Sequence, residues 1–566
     1  MAVVAPQPPA APDRAGRRSP AAGTVVGVAV ALVVAGPLAA LPLSFVGGGA
    51  AFGEIAAALL PQALRASVVL AIGVGLGTVL IGGGLAVLVS FYDFPGRRWL
   101  DWALVLPLAM PAYVLVFVLL GQYDPDGAMQ GLLRGLFGDG FQLPEIRSAA
   151  GAIGVLTLVL YPYVYVLGRA AFLSQSRDTL EAARTLGLSH RAAIRRVALP
   201  LARPALAAGG ALAVMEALAD FGAVNLLNYR AMTDAIYRVW YGTYDQTGAL
   251  HLASVLVSFT FALVAVERLL RGRSRYHGAL ARGEAVIPRR LAGWRGGLAC
   301  AFPVLLLGVV LIAPLLQLIV WSVRSLGEGA GARTLTSAAI NSLLLAAVAA
   351  LVTVSAATLI AYGLRSRPSR LASVSAGLAS LGYAVPGTVV AVAVYTPLAW
   401  IDRRLAGGAE SLFGVDVGLL FTGTLLGLVL AYVVRFHALA LSAVTTRMER
   451  IEPSLDDAAR SLGADHPRVL SDVHVPLLWP GILTAGLLVF VEVMKELPVT
   501  ALLRPLGGDT LAVTVWEATK DSRFDTAALP ALLIVAVGLI LVVSLLLRSR
   551  AGDPAADEPL VLGTPT

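Results

Sequence analysis

Apolar stretches of about twenty residues, each long enough to cross a hydrocarbon layer about 30 Å thick as a helix, recur along almost the whole chain. They predict about twelve transmembrane helices, near 24–46, 66–91, 100–120, 149–173, 204–226, 249–270, 297–322, 341–363, 373–399, 415–443, 480–503 and 526–547. The polar stretch RGRSRYHGALARGEAVIPRRLAGWRGG, residues 271–297, divides these spans six and six. The pattern therefore predicts an all-α polytopic membrane protein built as two parallel pseudo-repeats, related by an axis along the membrane normal.

A polar sequence ahead of one span in each half repeats itself. Residues 181–200 read EAARTLGLSHRAAIRRVALP and residues 457–476 read DAARSLGADHPRVLSDVHVP. An offset of 276 positions sets Glu181 on Asp457, Ala182 and Ala183 on Ala458 and Ala459, Gly187 on Gly463 and Pro200 on Pro476. Pro204 and Pro480 follow in register. Asp178 stands three residues before Glu181 and Ser454 three before Asp457, the spacing of a capping box that opens a short helix. The paired alanines would keep one side of that helix narrow enough to seat in a groove, the glycine would supply its C-terminal turn, and the proline would end the element. One copy alone reads as well as an amphipathic connector, with Arg191, Arg195 and Arg196 toward lipid phosphates. Two copies at one internal spacing point instead to paired docking sites for a two-fold symmetric soluble partner.

Composition places the spans in lipid, since hydrophobic residues make up 57% and charged residues 14%, against roughly 25% charge in soluble domains. The net charge of +8 follows from topology. With a cytoplasmic N-terminus, roughly 27 basic residues fall inside and about 11 outside, as the positive-inside rule requires. A nucleic-acid surface has no interleaved aromatic pattern to support it. Arg17 and Arg18 precede an apolar run too long for a cleaved leader, so a retained first span is expected. The single cysteine, Cys300, lies in an apolar run and reads as packing. Residues 1–20 and 551–566 have the composition of disordered tails.

At the duplicated loop the sequence resembles the EAA loop of binding-protein-dependent ABC importer permeases. The family pattern is met in the first copy by Glu181, Gly187, Val197, Leu199 and Pro200; the second departs in having Asp457 for the glutamate and ends Val473-His474-Val475-Pro476. The resemblance implies that each loop is a coupling helix inserting into a cleft of an ATP-binding subunit. No phosphate-binding Gly-Lys-Ser/Thr occurs, because the only lysines are Lys495, after Met494, and Lys520, after Thr519. The chain is thus expected to be no enzyme, with ATP and Mg held on partner subunits. The resemblance implies two copies of the ATP-binding subunit and one extracytoplasmic solute-binding protein. It also implies a place in the bacterial cytoplasmic (inner) membrane. The expected organisation is a cytoplasmic tail 1–23, a first half 24–270 with coupling loop 178–203, a basic linker 271–296, a second half 297–547 with coupling loop 454–479, and a cytoplasmic tail 548–566.

The spans that follow the loops carry acid: Glu216 and Asp220 in the first, Glu492 and Glu496 in the second, paired by the same offset and spaced i, i+4. Charges at membrane depth are costly unless they face a cavity or a partner. They read either as an acidic translocation path, with Lys495 neutralising one of them, or as groups bonded to neighbouring helices. An acidic path would favour a cationic solute over sulfate, molybdate or phosphonate. Residues 215–242 and 493–521 resemble the matching segments of fused permeases for ferric iron uptake; thiamine and polyamine permeases share the architecture. No His/Cys/carboxylate set with metal-ligand spacing stands out, which leaves iron recognition to the binding protein. PLAMPAY (107–113) and GYAVPGT (382–388) each place a proline mid-membrane. Tyr161, Tyr163 and Tyr165 read as an interfacial belt rather than as cavity hydroxyls, and His190, His466 and His474 as ordinary loop histidines. An ion-coupled secondary transporter would explain the spans and the acids but not the duplicated loops.

Overall fold

The computed structural model describes residues 22–45, 54, 58–124, 127–175, 177–271, 288–327, 332–366, 368–415 and 418–551. The expected tail 1–20, most of the linker and residues 552–566 lie outside them. The first half holds α1 (Ala22–Leu43), α2 (Leu60–Phe91), α3 (Arg97–Ala103), α4 (Ala112–Tyr123), α5 (Ala149–Leu173), α6 (Arg177–Thr185), α7 (Leu199–Ala219), α8 (Gly222–Leu226), α9 (Met232–Gly242) and α10 (Gln246–Arg271). The second repeats the order with α11 (Trp294–Leu307), α12 (Ala313–Gly327), α13 (Ala332–Ser366), α14 (Arg370–Ala379), α15 (Gly387–Phe413), α16 (Leu425–Met448), α17 (Pro453–Ser461), α18 (Val475–Met494), α19 (Pro498–Leu503), α20 (Leu511–Lys520) and α21 (Phe524–Ala551). Intrasegment hydrogen bonding makes the helix the natural way for such apolar sequence to cross lipid.

Ten of these helical runs are long and apolar enough to span a membrane, and α3 with α4 forms an eleventh, bent by 90°. The remaining predicted span, 373–399, is broken in the same way. A 3-10 turn, Leu106–Ala109 or Leu381–Ala384, is followed by an extended residue, Met110 or Val385, and then by Pro111 or Pro386 at the cap of the next helix. Proline cannot donate the hydrogen bond that would continue the helix, and it disfavours helical backbone in the residue before it. The apolar run of α15 ends at Ile401, before Asp402, Arg403 and Arg404, so it covers about 22 Å and falls short of a full crossing.

The first helix does not stay with its own half. α1 packs on α13, α14 and α15 of the second half, and a Cβ on Gly23 would stand 2.2 Å from the Leu359 carbonyl oxygen and 2.6 Å from the Gly363 Cα. Only glycine allows backbones to approach so closely. In the second half α12 packs mainly on α21 of its own half but also reaches α4 of the first, where Gln122 Nε2 donates to Gln317 Oε1 at 2.6 Å. The far end of the linker also ties back: Arg289–Arg290 pairs in parallel with Tyr92–Asp93, and Leu291 N–H donates to the Asp93 carbonyl at 2.8 Å.

Repeat symmetry extends beyond the loops. The first amide of α9 (Met232) donates to Ser67 Oγ at 2.9 Å, and the first amide of α20 (Leu511) donates to Ser342 Oγ at 2.8 Å. Each serine supplies an acceptor to a helix end that would otherwise leave buried donors unsatisfied.

Candidate functional site

The duplicated loops form matching helices. α6 and α17 each end at a left-handed glycine, Gly187 at φ 92° and Gly463 at φ 86°. Gly187 N–H donates to the Arg184 carbonyl at 3.0 Å and Leu188 N–H to that of Ala183 at 3.2 Å; Gly463 and Ala464 donate likewise to Arg460 and Ala459, both at 3.0 Å. A Cβ at either glycine would meet nothing within 4 Å among the described residues, so backbone handedness, not space, demands the residue. The next turn is capped by Ser189 Oγ, accepting from Ala192 N–H at 3.3 Å, and in the second half by Asp465 Oδ1, accepting from Arg468 N–H at 3.1 Å.

Three details of the expected loop are corrected. In the second copy no capping box forms: Glu452 is the N-cap and Pro453 the first helical residue, while the Asp457 carboxylate pairs with Arg460 at 2.8 Å. Pro453 presets the helical φ, which places the start before Ser454. In the first copy residue 176 and the Asp178 side chain lie outside the described residues. Pro200 and Pro476 do not end the elements either. The chain passes through a π turn, Ile194–Ala198 or Val469–His474, straight into α7 or α18, the widened turn absorbing the hydrogen bond that proline cannot make. Finally, the alanines divide their labour: Ala182 and Ala458 are exposed with Glu181 and Asp457, whereas Ala183 is buried and Ala459 half-buried toward the bundle. Just before each glycine, Leu186 and Leu462 stand 85% and 90% exposed, apolar groups pushed into water at equivalent places.

The two helices are moored differently. Asp456, on the inner face of α17, accepts from Arg365 Nε of α13 at 2.9 Å and lies 2.7 Å from Nε2 of the buried His474. Arg365 also donates to the carbonyls of Met448, Ile451 and Glu452, and Tyr362 donates to that of His466 at 2.8 Å. Burial works against the Asp456 charge, but the hydrogen bond and charge of Arg365 together with His474 outweigh it and hold the carboxyl below its ordinary range. By the 276 offset the corresponding first-half residues are Val89, Leu180 and Ala198, all buried and apolar. One loop helix is backed by an ionic network of side chains and the other by apolar side chains.

Between the halves lies a cavity of about 120 Å³, lined by Met110, Pro111, Tyr113 and Tyr163 together with the acids Glu216, Asp220, Glu492 and Glu496 and the cations Arg435 and Lys495. All five residues expected for the path are thus brought together. The acids do not share a helix face, however. α7 stops at Ala219 and α18 at Met494, so Asp220 and Glu496 lie past the helix ends. Each turns to cap the next short helix: Asp220 Oδ1 accepts from Ala223 and Val224 N–H at 2.8 and 3.4 Å, and Glu496 Oε1 from Val499 N–H at 3.1 Å. Glu492 pairs with Lys495 at 2.8 Å and Glu496 with Arg435 Nε at 3.1 Å. Arg435 also donates to the Val385 carbonyl at 3.3 Å, at the break before Pro386. Sequence reading missed Arg435, although an arginine inside an apolar span is itself a signal. Its first-half counterpart is Val159 and that of Lys495 is Ala219, and both of those also line the cavity.

The tyrosine belt is corrected as well. Tyr161 and Tyr165 are fully buried, their hydroxyls donating to the Leu104 carbonyl at 3.0 Å and the Asp101 carbonyl at 2.7 Å. A buried phenol needs an acceptor, and the last turn of α3 and its C-cap residue provide the carbonyls. Tyr163, between them, lines the cavity. Among the described residues no group of three His, Cys, Asp or Glu side chains is placed to hold a metal ion.

A duplicated polytopic bundle with a polar cavity between its halves has the architecture of a transporter's membrane component. The chain belongs to the family of binding-protein-dependent transport system inner membrane components, whose model matches twice, over residues 78–276 and 354–554. The two matches begin one loop offset apart. The chain is 25% identical to the Fe(3+)-transport system permease protein FbpB 2 of Haemophilus influenzae, over 84% of this chain and 87% of that one. It is 26% identical to a probable ABC transporter permease protein, y4fN, of Sinorhizobium fredii, over 83% of each. A probable molybdenum ABC transporter permease protein of Haloferax volcanii is 32% identical over 34% of this chain and 68% of its own. The chain is accordingly a fused permease of an ABC importer, working with ATP-binding and substrate-binding partners in a bacterial inner membrane.

Proposed function

We propose that this permease carries ferric iron from an extracytoplasmic binding protein into the cytoplasm by alternating access. The cavity between the halves carries this reading: four carboxylates against two cations leave it acidic, which favours a metal cation and opposes an oxyanion such as the molybdenum relative's name suggests. The full-length relative named for Fe(3+) transport supports the same cargo. Exposed Glu181, Ala182, Asp457 and Ala458, with Gly187 and Gly463 setting the helix ends, are the coupling surface for two ATP-binding subunits. Buried Ala183 and half-buried Ala459 seat those helices on the permease, and Pro200 and Pro476 lie where their motion enters the spans. ATP and Mg act on the partner chains, and both termini are cytoplasmic. ATP closes the partners, the loops move together, and the halves rock about the cavity.

The test is uptake of radiolabelled ferric iron into proteoliposomes holding the permease, its ATP-binding subunit and its binding protein, with and without ATP inside. Accumulation that requires both ATP and the binding protein is expected. Uptake of thiamine or a polyamine instead of iron would move the cargo within the same mechanism. Uptake driven by an ion gradient alone would make the protein a secondary transporter.

A further inference from the structure

Three of the four cavity carboxylates are engaged. Asp220 caps α8, Glu492 holds Lys495, and Glu496 both caps α19 and holds Arg435. Glu216 makes no hydrogen bond or ion pair among the described residues, although it lines the same cavity. Tyr113 lines it too. That side chain is only 4% exposed, and its hydroxyl has no hydrogen-bond partner among the described residues. Buried phenols are rarely left so. The ring is fixed at the start of α4, directly after the break at Pro111, and packs on Gly222, where a Cβ would stand 2.8 Å from the tyrosine Cβ. Thr388 occupies the same place after Pro386 and also lacks a partner, but it is not among the cavity-lining residues. The two unspent oxygen donors therefore belong to the first-half wall, where Val159 and Ala219 replace the cations of the other wall.

We propose that the Glu216 carboxylate and the Tyr113 hydroxyl form the contact at which a hard, oxygen-preferring metal cation is met midway through the membrane. The inference rests on the ferric iron reading and assigns its intramembrane ligands. Carboxylate and hydroxyl oxygens suit hard cations, and neither a thiol nor an imidazole is among the lining residues. Two donors make an incomplete shell. That suits a transported ion, which must bind well enough to enter and weakly enough to leave. A volume of about 120 Å³ accommodates such an ion with part of its water, at about 30 Å³ per molecule.

The complete importer in proteoliposomes tests this by two readouts, iron uptake and the ATPase stimulation produced by loaded binding protein. Glu216→Gln is expected to slow uptake about tenfold and Tyr113→Phe about threefold, the losses of a charged and a neutral oxygen contact. Stimulation should stay within about twofold of wild type in both, and Glu216→Asp should recover much of the uptake, since a merely structural side chain would disturb coupling as well. Wild-type uptake rates in both variants would overturn the contact while leaving the iron reading intact. Parallel loss of stimulation and uptake would also overturn it, by making both residues structural. A wild-type importer that takes up no iron would overturn the iron reading, and the contact with it.

Discussion

Gly187 and Gly463 show how one residue sets the end of a helix. Nothing crowds them, so a side chain there costs only the strain of left-handed backbone, about 1–2 kcal/mol. That strain falls where the chain presents Leu186 and Leu462. Gly187→Val or Gly463→Val is expected to leave the chain inserted and folded while ATPase stimulation by loaded binding protein drops severalfold; full stimulation would separate these turns from coupling. Asp456 gives a second residue-scale prediction. Its carboxyl titrates lower when folded than when unfolded, so its contribution is present above the ordinary carboxylate range and is lost as pH falls through the folded value. Amide exchange in residues 453–461 should therefore accelerate relative to residues 177–185 below about pH 4. Asp456→Asn should remove that pH dependence.

Among elements, the two loop helices α6 and α17 pose a direct comparison of ionic and apolar mooring. Arg365→Val alone strands Asp456 and is expected to destabilise α17 locally by about 1–3 kcal/mol, read as faster amide exchange. Adding Asp456→Leu and His474→Ala rebuilds the first-half pattern of Val89, Leu180 and Ala198, and should recover most of the loss. Failure to recover would mean that the polar network does more than hold the helix. The loops and their glycines were legible in the sequence because a repeat doubles a weak signal. The helix start at Pro453 and the continuous passage through Pro200 and Pro476 were not, since a π turn depends on which carbonyls its surroundings leave free. Likewise, i, i+4 spacing suggested one face for Glu216 and Asp220, but the helix ends between them, where Asp220 finds two amides to cap. Arg435 escaped notice because repeat comparison finds what is duplicated, and it faces a valine across the cavity.

At the scale of the whole molecule, the crossing of α1 onto the second half ties the two halves together. A chain cut within residues 272–287 and expressed as two pieces is expected to co-purify on a tag attached to either, because α1 lies against α13, α14 and α15. Separation in mild detergent would show that the linker, not packing, holds the halves. The division into halves could be read from the sequence, whereas the crossing depends on contacts such as Gly23 against Gly363, hundreds of residues apart. Fusion into one chain has a further effect. Identical subunits would put the same charges on both sides of the central cavity, but here Arg435 and Lys495 stand on one side and Val159 and Ala219 on the other. The cavity therefore carries an electric polarity across the pseudo-symmetry axis. On the proposed reading of a cation cargo, an ion entering it would be drawn sideways, off-centre, along the wall that the first half of the chain provides.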